Sequence, residues 1–161
     1  MLRAARTLGH TPGAERVVRA FSSTGEHGAS WLVPGLLGGR WRRAARTVAL
    51  AYVVNQAVKL AVPRARPRLD GLPPLIDVHS DRSFPSAHST TSFAGARAYA
   101  RLGVPAPVLY ALAAGFAASR VWLGVHHPSD VLAGAALGTV IGKRSGFCNP
   151  SCDSERSELR R

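Results

Sequence analysis

Four apolar runs of helix length, separated by connectors rich in Arg and Pro, constrain this chain most. They cover residues 47–62, 86–102, 107–121 and 131–142. Each is too long for a typical buried strand, and the last two are crowded with Ala and Gly. Gly134 and Gly138 stand four apart, the small-xxx-small spacing that lets helices approach closely. The runs predict an all-α bundle. Basic connectors between apolar runs are typical of membrane loops, so the expected bundle is membrane-embedded, with about four to five apolar helices counting the short stretch 31–39. A soluble Ala-rich bundle is the alternative, favoured by the modest overall hydropathy.

Charge narrows the class further. The chain of 161 residues carries 21 Lys and Arg against 9 Asp and Glu, a formal net charge of +12. That balance points to an anionic partner such as nucleic acid, phospholipid or phosphate esters. No basic stripe with interleaved aromatics and no known nucleic-acid module is present, so nucleic acid is not expected. Cys148 and Cys152, the only cysteines, form neither a disulfide framework nor a zinc signature.

The chain divides into three parts. Residues 1–28 form a basic arm without the compact apolar region of a secretory signal. They read either as a disordered arm or as containing an interfacial helix near 15–21, with Val17, Val18 and Phe21 on one face. Residues 29–143 are the core, with 40–46 as a basic connector and Trp41 placed as an interfacial anchor. Asn55, Gln56 and Lys59 interrupt an apolar run, which polar groups do when they face a cavity or a partner helix. Residues 69–84 read as an exposed loop, and 144–161 as a polar, disordered tail.

Chemistry concentrates in three stretches. Arg120, His126 and Asp130 supply a fixed cation, an imidazole and a carboxylate within one short segment. Pro128 suits the first turn of a helix, which would leave His126 at its mouth and Asp130 able to orient it. A helix cap with incidental basic neighbours is the plainer reading. Lys59 and Arg66 bring two cations to the end of an apolar run, although Pro63 breaks the helix between them. The stretch 84–89 begins a helix with Ser86, Ala87 and His88, offering free N–H groups for an anion and a second proton carrier.

Taken together, Lys59-(six residues)-Arg66-Pro67, Pro85-Ser86-Ala87-His88 and Ser119-Arg120-(five residues)-His126-(three residues)-Asp130 resemble the three-part signature of the type 2 phosphatidic acid phosphatases (PAP2), whose superfamily includes the vanadium haloperoxidases. Ala87 departs from the commoner Gly by one methyl. The resemblance implies a helical bundle whose motifs converge on one pocket. It implies His126 as the nucleophile that becomes a phosphohistidine, Asp130 as its orienter, and His88 as the acid and then base. It implies that Lys59, Arg66 and Arg120, with Ser86 and Ala87, hold the phosphoryl oxygens without a metal or other cofactor.

The expected partners are a lipid phosphate and the bilayer. Small actinobacterial members of this type act on polyprenyl-linked phosphates such as decaprenylphosphoryl phosphoribose, while phosphatidic acid and undecaprenyl diphosphate stay open. A haloperoxidase and a non-catalytic lipid-binding protein are the rival readings. Alternating spans would put the motifs at one membrane face and Arg40, Arg97, Arg101 and Lys143 at the other, so the pocket is expected to face outward.

Overall fold

Helix α5, Ala87–Ala100, is the centre of the molecule, and α4, α6 and α7 pack around it. The computed structural model describes residues 2–78 and 80–144. The described chain is helical, with α1 Leu2–Thr7, α2 Pro12–Thr24, α3 Ala29–Leu32, α4 Gly39–Ala61, α6 Ala106–Trp122 and α7 Pro128–Arg144 completing the set. Short 3-10 turns, Glu26–Gly28 and Val33–Leu37, flank α3. The all-α expectation is therefore met. Cys148, Cys152 and the rest of the tail lie outside the described residues.

Three glycines on one face of α7 set its distance from α5. A Cβ on Gly134 would stand 2.6 Å from the Ser86 carbonyl oxygen, and one on Gly142 would stand 2.8 Å from Arg97 Cβ. Gly138 meets the Thr90 carbonyl in the same way. The predicted pair of small residues is thus a run of three glycines facing α5. Buried Asn55 of α4 donates from Nδ2 to Thr90 Oγ1 at 2.9 Å and to the Pro85 carbonyl at 3.3 Å, crossing to the start of α5. The core is small-residue-rich and is filled out by Trp31, Val48, Tyr99 and Phe116. Trp31 donates to Ser92 Oγ at 3.0 Å, and Tyr99 donates to the Trp31 carbonyl at 2.6 Å.

Two expectations change. Residues 40–46 are not a connector but the opening turns of α4, where Ala44 is fully buried while Arg40, Arg42 and Arg43 stay at the surface. The N-terminal segment is helical, and α2 is longer than the stretch 15–21. Phe21 turns inward and stacks on Phe116 with 4.4 Å between ring centroids, whereas Val17 stays exposed, so the face proposed for a membrane surface is divided. Among the described residues, no helix is long and apolar enough to cross a membrane. α4 has the length but carries Arg40, Arg42, Arg43, Arg46 and Lys59. α6 and α7 have 17 residues each, which span about 25 Å at the helical rise, short of the ~30 Å hydrocarbon core.

Candidate active site

The pocket is built where four helix ends meet. α4 ends at Ala61 with Lys59 in its last turn, α5 begins at Ala87, α6 ends just past Arg120, and α7 begins at Pro128. The loop between α4 and α5 is pinned across them. Ser83 Oγ donates to the carbonyls of Arg64 and Ala65 at 3.2 and 3.0 Å, and Arg82 donates to the exposed final carbonyls of α4. The resulting cavity of about 160 Å³ is lined by Lys59, Arg66, Ala87, His88, Arg120 and His126. Glu26, Tyr52, Gln56 and Asp77 also line it.

Asp130 is the third residue of α7, and this explains much of the geometry. Its Oδ2 accepts the backbone N–H of His127 at 2.8 Å, as an acid at that position does when it closes the start of a helix. Its Oδ1 accepts Arg64 Nη1 at 2.8 Å, and its backbone carbonyl accepts the N–H of Ser86 at 3.0 Å. His126 Nδ1 lies 3.7 Å from Oδ2, inside ion-pair range but longer than a hydrogen bond. Asp130 thus caps the helix and at the same time faces the imidazole.

On the other side of the ring, Arg66 Nη1 stands 3.4 Å from His126 Nε2. A guanidinium has only N–H to offer, so Nε2 presents its lone pair and the ring proton sits on Nδ1, toward Asp130. Arg66 is itself held by the carbonyls of Ser80 and Val125, both at 2.7 Å. Burial drives the His126 imidazole from an ordinary 6.5 down to about 4, against the pull of Asp130, with Arg66, Arg120 and Lys59 adding to the fall. Burial also lowers Arg66 below its usual value, opposed by Asp130 and Asp81. At neutral pH the result is an uncharged imidazole with a free electron pair among fixed cations, the state a nitrogen nucleophile needs.

The expected phosphate ligands divide into two groups. Lys59, Arg66, Ala87 and Arg120 reach the cavity. Ser86 does not line it: the side chain is fully buried and caps α5 by accepting the Ser89 N–H at 3.5 Å. The described residues contain no group of three His, Cys, Asp or Glu side chains placed to share a metal ion.

Arg64 and Ser22 were missed by sequence reasoning. Nothing in the sequence marks Arg64, and only the fold brings it to Asp130. Ser22 precedes every motif by dozens of residues, yet it is buried against both His88 and Arg120. No pattern in the basic arm marks it.

A PAP2 superfamily model matches residues 41–145. The chain is 38% identical over 140 residues to a decaprenylphosphoryl-5-phosphoribose phosphatase of Mycobacterium tuberculosis, covering 81% of this chain and 78% of that one. Among solved structures it is similar to LpxE of Aquifex aeolicus, with a TM-score of 0.72, 22% identity, and coverage of 89% and 91% of the two chains. A PAP2-type phosphatidylglycerolphosphate phosphatase from Bacillus subtilis gives a TM-score of 0.65 at 22% identity, covering 96% and 83%.

Proposed function

The chain belongs to the PAP2 superfamily and is a phosphoric monoester hydrolase; from that premise we propose that it dephosphorylates a polyprenyl-linked lipid at the membrane through a phosphohistidine on His126. The observation that carries the reading is the uncharged His126, its Nε2 lone pair facing Arg66 and its Nδ1 facing Asp130, in a cavity also lined by Lys59, His88 and Arg120.

The phosphoryl group enters among Lys59, Arg66 and Arg120, which neutralise its equatorial oxygens. Arg66 transfers its N–H from His126 Nε2 to a phosphoryl oxygen and frees the lone pair. Nε2 forms the N–P bond as the bond from phosphorus to the lipid oxygen breaks, and His88, doubly protonated once the phosphate dianion is bound beside it, gives that oxygen a proton. Water then attacks phosphorus, passing a proton to His88. The N–P bond breaks, its electron pair returns to Nε2, and inorganic phosphate leaves. Asp130 stabilises the positive ring in the intermediate.

Similarity to a decaprenylphosphoryl-5-phosphoribose phosphatase supports a polyprenyl-linked substrate. Exposed Leu50, Val53 and Leu60 on α4, Val108 and Leu112 on α6, and Leu132 and Val140 on α7 support contact with lipid chains. On this reading α4 to α7 sit in the cell membrane as a multi-pass bundle, with the bilayer thinned around its short helices. Arg101 Nη2 reaches the Lys143 carbonyl at 3.3 Å, supporting a basic cytoplasmic end and an outward-facing pocket.

The test is phosphate release by purified protein from a decaprenylphosphoryl phosphosugar, phosphatidic acid and undecaprenyl diphosphate. We expect turnover fastest on the first, with acid-labile radioactivity trapped on the protein and absent from His126→Ala. Release no faster than His126→Ala on all three would reject the reading and leave lipid binding.

A further inference from the structure

We propose that Ser22, in the N-terminal helix α2, is a positioning residue of the active site, holding both the proton carrier and the phosphate clamp. Ser22 is 1% exposed. Its backbone carbonyl accepts the Nε2–H of His88 at 3.0 Å, and its hydroxyl accepts Arg120 Nη1 at 2.7 Å. One residue outside the span 41–145 thus grips two groups of the pocket.

Each contact has a definite consequence. A carbonyl can only accept, so His88 keeps its proton on Nε2 when neutral. Nδ1 is then the nitrogen that gives and takes the catalytic proton. The carbonyl lies in the last turn of the 13-residue helix α2, which fixes its direction toward the ring. On Arg120, the hydroxyl occupies Nη1 and sets the plane of the guanidinium. Arg120 lines the cavity, so the part of its fork not held by Ser22 is left for phosphoryl oxygens.

The seat of α2 is specific. Phe21 stacks on Phe116, which lies one turn before Arg120 on α6. A Cβ on Gly25 would stand 2.7 Å from Phe116 and 3.2 Å from His88 Cδ2, so only glycine lets the helix end come this close.

This inference rests on the phosphatase reading, and the test separates the two. Full-length enzyme, Ser22→Ala, Arg120→Lys and the double variant are compared for kcat/KM on lipid phosphate, vanadate inhibition and thermal stability. Ser23→Ala, whose hydroxyl bonds the Ala20 carbonyl at the surface, is the control. Ser22→Ala is expected to lower kcat/KM roughly tenfold or more and to weaken vanadate inhibition by a similar factor. In the Arg120→Lys background the same change should cost less than about twofold, because the acceptor's partner is gone. Equal losses in both backgrounds, or none in the wild type, overturn the proposal.

A second measurement does not depend on the variant folding. Nitrogen-15 spectra of the wild-type rings, with His88 assigned by its disappearance in His88→Gln, should show the neutral Nε2–H tautomer. The Nδ1–H tautomer overturns the proposal. An inactive wild type would instead count against the phosphatase reading.

Discussion

At the scale of single residues, His126 gives the sharpest pH signature. In the proposed reaction its imidazole must be uncharged to attack, and burial holds it at about 4. The acid limb of kcat/KM assigned to the nucleophile should therefore lie near pH 4, and a pH–rate profile of the wild type checks it. A limb near the ordinary 6.5 would mean that the ring is solvated when it reacts. The same shift acts on stability. The unfolded chain binds the proton first, so stability should fall as pH drops from about 6.5 toward about 4, visible as a declining Tm. Arg64 gives a second prediction. It bonds the fully buried Asp130 at 2.8 Å, so Arg64→Ala should lower kcat roughly tenfold, with KM changing less than about threefold. Steady-state kinetics would expose the error if KM alone rose. The sequence made His126 and Asp130 legible because their spacing is local, but it hid Arg64, whose partner lies 66 residues away.

Among the elements, the pairing of α5 with α7 was readable in the spacing of Gly134 and Gly138. The fold adds Gly142 and the reason, which is backbone contact that leaves no room for a methyl. Gly138→Ala should destabilise the protein by about 2 kcal/mol and cut activity by widening the gap between the helices. Gly13→Ala, where a Cβ would meet nothing within 4 Å, should stay within about 0.5 kcal/mol. Thermal unfolding of the two variants distinguishes a packing requirement from a general dislike of the substitution. α4 was only half legible. Its apolar portion and its end before Pro63 were clear, while the arginines at 40–46 read as a loop because charge suggested exposure rather than conformation. Exposed arginines are good helix formers, and propensity prevailed there. α2 was harder, since its anchor Phe21 is one aromatic in a polar arm and its partner is on α6.

For the whole molecule, the balance of +12 charges reads as division of labour. Lys59, Arg66 and Arg120 converge on the cavity, and a separate basic group gathers where Arg101 meets the end of α7. On the proposed mechanism these three cations serve the phosphoryl oxygens, so turnover should survive excess EDTA within about twofold, and vanadate should compete with substrate. Loss on chelation with recovery in magnesium would assign the neutralising charge to an ion. Asp130 has a further consequence at this scale. The carboxylate that closes the first turn of α7 also faces His126, so on the proposed mechanism completing α7 and arming the enzyme are one event. A chain still emerging from the ribosome carries His126 before its orienter has a fixed place. On that mechanism the hydrolytic reagent comes into being only when α7 has wound against α5.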